Sequence, residues 1–112
     1  MRACHWTFDG TIPALPTSQA LEDFFAETIK AIRMTPITEP RIEFHPPNVS
    51  AIQFIAESHL AVSIYGTSAF VDIFSCKDFD PGVVLSLLVK HLGGRDWNVS
   101  QRRREVVLER ME

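Results

Sequence analysis

The sequence predicts an α+β fold: a two-layer sandwich in which an antiparallel sheet carries two helices on one face. Three observations lead there. Apolar residues recur at helical spacing in two segments, after Thr17 and after Asp80. Six short runs rich in β-branched and aromatic residues surround them. Connections of a few residues join the runs between 41 and 75, which makes those strands antiparallel neighbours.

The first strand is expected over residues 3 to 8, "ACHWTF", ended by the turn signal Asp9-Gly10. A proline-bounded loop, "TIPALPT", leads to Thr17 or Ser18 as cap of a helix whose core face is Leu21, Phe24, Phe25, Ile29 and Ile32. Pro36 and Pro40 are expected to close that helix and force an extended segment. "RIEFH" reads as a strand, "PPN" as a turn, and "VSAIQFIAES" as a strand so continuously apolar that burial on both faces is expected. "HLAVSIY" and "SAFVDIF" follow, separated by Gly66-Thr67. In "DPGVVLSLLVKHLGG" Asp80 is the cap, Pro81 the first turn and Gly93-Gly94 the stop of a second helix, with His91 favourable at its negative end. A final strand is read from the tail, where "REVVLER" alternates.

At 112 residues, 46% of them hydrophobic, the chain is read as a single domain, 1–112, with material for one core. Helices on one face leave the other needing a partner, and a homodimer with its sheets face to face is the simplest expectation. Eleven basic against fourteen acidic residues, a net charge of −3, offer no general attraction to nucleic acid or anionic lipid. The run Arg102-Arg103-Arg104 is read as a solvated strand face or an interface edge. The absence of any apolar stretch of about 20 residues, or of a secretory h-region, leads to the expectation of a cytoplasmic protein with no membrane partner. Cys4 and Cys76 have no metal-ligand spacing, and His5, His45, His59 and His91 form no paired ligand set, so no metal is expected. Cys4 is read as a small buried hydrophobe.

One feature resists a purely structural reading. Glu57-Ser58-His59 places a polar cluster between apolar strands, and the next strands add Ser63, Asp72, Ser75 and Cys76, groups that need partners or a reason. These residues carry a resemblance. "SAIQFIAESHLAVSIY" followed by "AFVDIFSC" is similar to the central block of the prokaryotic S-adenosylmethionine decarboxylase proenzymes, small pyruvoyl-dependent enzymes. The resemblance is specific over about residues 44 to 76, and the spacing from Ser50 to Ser58 matches the family.

The resemblance implies self-cleavage between Glu57 and Ser58. The Ser58 hydroxyl would attack the preceding carbonyl to form an ester, and elimination would leave Ser58 as an N-terminal pyruvoyl group, the covalent cofactor. A ketone of that kind forms a Schiff base with a substrate amine and takes up the electrons released with carbon dioxide. The resemblance further implies Cys76 as proton donor to the substrate carbon, Ser50 as an aid to processing, and Phe44 as an aromatic that stacks on the substrate's adenine. Phe44 is read equally well as a core strand residue. His59 is taken as a substrate-binding residue, on the face of position 63 if the strand is regular, and with His45 and His5 as an alternative base.

Two departures fall on functional positions. Ser63 stands where the family has the histidine that helps remove the α-proton during pyruvoyl formation, and a hydroxyl is a poor base near neutral pH. The shorter "IYGTS", residues 64 to 68, replaces a family segment whose carboxylate holds the ribose hydroxyls. The implied substrate is S-adenosylmethionine, decarboxylated as aminopropyl donor for spermidine synthesis. The alternatives are the same chemistry on ornithine or arginine, and a non-processing homologue acting as a binding or regulatory subunit.

Overall fold

The computed structural model describes residues 2–105 and has the expected architecture. Its elements are β1 (Arg2–Thr11), α1 (Ser18–Ala31), β2 (Arg41–His45), β3 (Asn48–Ile55), β4 (Ser58–Tyr65), β5 (Ser68–Ser75), α2 (Pro81–Leu92) and β6 (Arg95–Glu105). The strands form one sheet in the order β2-β3-β4-β5-β1-β6, every neighbouring pair antiparallel. Strands β2 to β5 are a meander, and β1 docks on its β5 edge. Helix α1 carries the chain back across the sheet from β1 to the β2 edge. No helix of the described residues is long and apolar enough to cross a membrane.

Both helices cover one face. Leu21, Phe24, Phe25 and Ile29 of α1 and Val84, Leu88 and Leu92 of α2 are buried. They meet Val49, Ala51 and Ile55 of β3, Leu60, Val62 and Ile64 of β4, Ala69, Val71 and Ile73 of β5, and Phe8 of β1 in one cluster. Removing each of the larger side chains from water contributes about 1.5–3 kcal/mol, so this layer supplies the driving force for folding. The caps are those read from the sequence: Thr17 accepts from the Ala20 N–H, Asp80 from the Gly82 N–H, and Gly93 ends α2 with φ of 71°.

Four details differ from the sequence reading. Strand β1 runs through Asp9-Gly10 instead of turning there. Gly10 is small because the Trp97 ring of β6 lies on it: a Cβ at Gly10 would stand 2.5 Å from the ring. Helix α1 ends at Ala31, ahead of Pro36, where Ile32 caps the last turn and Arg33 takes a left-handed φ of 59°. Pro36 instead makes a bridge to Ile55. Strand β3, expected to be buried on both faces, alternates: Val49, Ala51, Gln53 and Ile55 are buried beneath the helices, while Ser50 and Phe54 are exposed. A hydrophobic run therefore supplies one covered and one open face. Residues 106–112, including most of the "REVVLER" alternation, lie outside the described residues.

Because the Trp97 ring occupies the space of a side chain at position 10, Gly10→Ala is expected to force the ring or β6 outward. The expected loss is about 1–3 kcal/mol in urea unfolding, with an accompanying change in tryptophan fluorescence.

Candidate active site

Ala56 and Glu57 form the two-residue turn between β3 and β4, so that Ile55 faces Ser58 across the hairpin. Ser58 has φ of 154°, a backbone setting that residues bearing a Cβ rarely adopt. Glu57 is held from outside the hairpin. Its Oε1 accepts the Thr35 N–H at 2.9 Å, and its Oε2 lies 4.0 Å from Lys77 Nζ, which itself donates to the Arg33 carbonyl at 2.9 Å. At 4.0 Å the ion pair is at the limit of direct contact, and the backbone hydrogen bond is the firmer anchor. The residue before the Glu57–Ser58 bond is thereby tied to the α1–β2 connection.

Across the sheet Ser58 faces Ser75, and Ser75 faces Cys4. The buried Ser75 hydroxyl accepts the Lys77 N–H at 2.9 Å and donates to Met34 Sδ at 3.7 Å, which bends the chain as β5 ends and leaves Cys76 exposed beside that row. Cys4 is buried as expected, yet its thiol donates to Asp78 at 3.6 Å and accepts from Gln101 at 3.4 Å. Ser58 Oγ and His59 Nδ1 are hydrogen-bonded at 3.1 Å, and the His59 ring stacks on Phe74, its cross-strand partner, at 5.8 Å and 15°. Glu57, Ser58, His59 and Cys76 thus share one end of the sheet.

Ser50 and Ser63 are elsewhere. They face each other on the open side of β3 and β4, with Glu43 of β2 opposite Ser50. With Arg41, Ile52 and Ala61 they line a shallow depression of about 320 Å³, where Arg41 Nε donates to Glu43 at 3.1 Å. Ser63 is five residues along β4 from Ser58, about 17 Å at the rise of an extended strand. His59, Ala61 and Ser63 share the open face, as the period of a strand requires. Phe44 pairs with Val49 and so belongs to the helix-facing side, where it is 37% exposed at the β2 edge. Within one chain the structure does not bring Ser50, Ser63 or Phe44 to Ser58. Glu43 was missed by sequence reasoning, although the "PPN" turn between "RIEFH" and "VSAIQ" was signal enough to pair it with Ser50.

The open face between these two ends carries a small polar network. His5 Nε2 and Asp72 Oδ1 are 3.1 Å apart, and the Arg104 guanidinium lies 5.7 Å from the centre of the Phe74 ring. Partial burial, and second the nearby Asp72 carboxylate, push the Asp9 carboxyl above its ordinary range.

Comparison with known proteins follows the same outline. The family model described as S-adenosylmethionine decarboxylase matches residues 8–105. The S-adenosylmethionine decarboxylase proenzyme of Pseudomonas aeruginosa is 34% identical over 90 residues, covering 77% of this chain and 56% of the relative. That of Carboxydothermus hydrogenoformans is 33% identical over 70 residues, 60% of this chain and 55% of the relative. The chain therefore spans little more than half the length of these relatives. Among solved structures, the adenosylmethionine decarboxylase of Aquifex aeolicus superposes with a TM-score of 0.77 over 98% of this chain and 96% of that one, at 15% identity, a likeness of fold.

The Asp9 shift has a signed consequence. A carboxyl with a folded-state value above its unfolded value binds its proton more tightly in the native protein, so stability falls as pH rises through that interval. Asp9→Asn is expected to raise the melting temperature modestly at pH 7 and to leave it unchanged near pH 3, measured by thermal denaturation at both values.

Proposed function

The chain belongs to the S-adenosylmethionine decarboxylase family, and we propose that it is a self-processing pyruvoyl-dependent decarboxylase acting on S-adenosylmethionine. In this reading residues 1–112 are one domain cut between Glu57 and Ser58. The observation that carries it is the Glu57–Ser58 bond itself: at the tip of a hairpin, with its glutamate tied down, its serine backbone in a rare conformation, and the serine hydroxyl already engaged by an imidazole. A serine so placed suits the precursor of a pyruvoyl group, which when formed supplies the carbonyl that takes up the electron pair released with carbon dioxide. Cys76, exposed next to the Ser58–Ser75 pair, is the proton donor.

The depression at the other end of β4 is the substrate's second binding region. Glu43 there supplies a carboxylate that the short loop 64–68 lacks, and a carboxylate is the group suited to accept two ribose hydroxyl hydrogens. This favours the nucleoside substrate over ornithine or arginine. A homodimer accounts for the distance between the ends. With two open faces together and a twofold axis near the middle of β4, the Ser50–Ser63 end of one copy lies over the Ser58 end of the other, and the exposed Phe54, Tyr65 and Phe70 are covered. The product is decarboxylated S-adenosylmethionine, the aminopropyl donor for spermidine synthesis, and the compartment is the cytoplasm.

Intact mass under denaturing conditions is the direct test. Two chains, 1–57 and 58–112 with pyruvoyl in place of serine, are expected, and Ser58→Ala is expected to stay a single chain of 12.7 kDa. A wild-type chain that stays whole on long incubation points to the non-processing homologue, in keeping with Ser63. Light scattering is expected to give twice the chain mass. In the processed enzyme Glu43→Gln is expected to lower kcat/KM for S-adenosylmethionine about 10–100-fold, the loss of a charge-assisted hydrogen bond.

A further inference from the structure

We propose that His59 is the base that carries out the first step of self-cleavage, taking the proton of the Ser58 hydroxyl and returning it to the amine that the broken peptide bond leaves behind. This rests on the reading of the chain as self-processing and adds the group that starts the process.

Consecutive side chains of a regular strand point to opposite faces, so a serine and the histidine that follows it do not ordinarily meet. Here they do: Ser58 Oγ and His59 Nδ1 are 3.1 Å apart, and Ser58, the first residue of the strand, has the unusual φ of 154°. With its proton on Nε2, the ring presents the Nδ1 lone pair to the hydroxyl. An imidazole both accepts and returns a proton near neutral pH. Its orientation is set by Phe74, against which it stacks from the neighbouring strand, and Phe74 in turn meets His5 edge-on at 6.1 Å.

Three other groups near the turn are committed elsewhere. The Glu57 carboxylate is turned to the Thr35 N–H and Lys77, the Lys77 amine to the Arg33 carbonyl, and the Ser75 hydroxyl to Met34 and the Lys77 N–H. Ser63, at the position where the resemblance expects a base, is about 17 Å away along the strand of the same chain, and a serine hydroxyl is a poor base near neutral pH even where a second copy brings one closer.

The step balances without any added reagent. Nδ1 takes the hydroxyl proton as Oγ bonds to the Glu57 carbonyl carbon, giving a tetrahedral adduct. The bond from that carbon to the Ser58 nitrogen then breaks, and the nitrogen leaves with the proton returned by Nδ1. The result is an ester between Glu57 and Ser58 Oγ with a free α-amine on Ser58. The later elimination, which expels the Glu57 carboxylate, and the hydrolysis, which consumes water and releases ammonia, are separate steps and need another base.

Hydroxylamine cleaves the ester and leaves the amide intact, so it reports this step alone, by mass, without any measurement of decarboxylation. Wild-type protein purified uncut from rapid expression is expected to convert to two chains. His59→Ala is expected to remain a single chain, insensitive to hydroxylamine, with processing slowed at least about 100-fold, and imidazole added to the buffer is expected to restore it. His59→Gln, which keeps polar bulk over Phe74 but lacks a base, is expected to be as slow, and it decides the matter should the alanine variant fail to fold. Processing of either folded variant at the wild-type rate overturns the proposal, as does accumulation of a hydroxylamine-sensitive ester, which would place the histidine at the elimination. If the wild-type chain never cuts, the self-processing reading falls and this proposal with it. If it cuts and the variants cut equally well, only the role of His59 falls.

Discussion

The two-residue turn at Ala56-Glu57 sets the register of the sheet's centre. With Ile55 opposite Ser58, every pair along β3 and β4 is determined, and the matching of Ser58 to Ser75 carries the same register into β5. A slip of one residue would send Leu60, Val62 and Ile64 from beneath the helices to the open face. Hydrophobic burial and turn geometry therefore enforce each other. The same turn holds the Glu57–Ser58 bond, between two strands that each have neighbours on both sides.

The sheet is asymmetric in what its faces do. Beneath the helices the packing is apolar and continuous, and it determines the fold. The open face carries serines, histidines and aspartates among exposed aromatics, a surface neither hydrophobic enough to be a core nor polar enough to be simply solvated. Asp9 and Asp72 lie close on it, and His5 Nε2 is 3.1 Å from Asp72 Oδ1. Such a face costs some stability.

Strand β4 joins the two regions of interest because it runs from Ser58 at one end to Ser63 and Tyr65 at the other. Residues eight apart in sequence, Ser50 and Ser58, are separated by most of a hairpin rather than brought together. The histidine next to the serine, by contrast, reaches it through a local departure from strand geometry. Sequence spacing does not give proximity in a sheet; register and backbone conformation do.

The sequence by itself determined the element order, the two helix caps, the antiparallel centre and the place of the polar triplet at the head of β4, because each rests on local chemistry. Periodicity, a capping oxygen, a proline at a first turn and a polar triplet are all readable without neighbours. It did not reveal that Asp9-Gly10 stays in a strand, since the reason is Trp97, nearly ninety residues away. Nor did it separate Phe44 from Ser50 or draw Glu43 beside it, since facing depends on pairing across strands. Tertiary structure alone decided which polar side chains meet, because in a sheet partners come from other strands and a single unusual φ can redirect a side chain. That is why Ser58 and His59 touch while Ser58 and Ser63 do not.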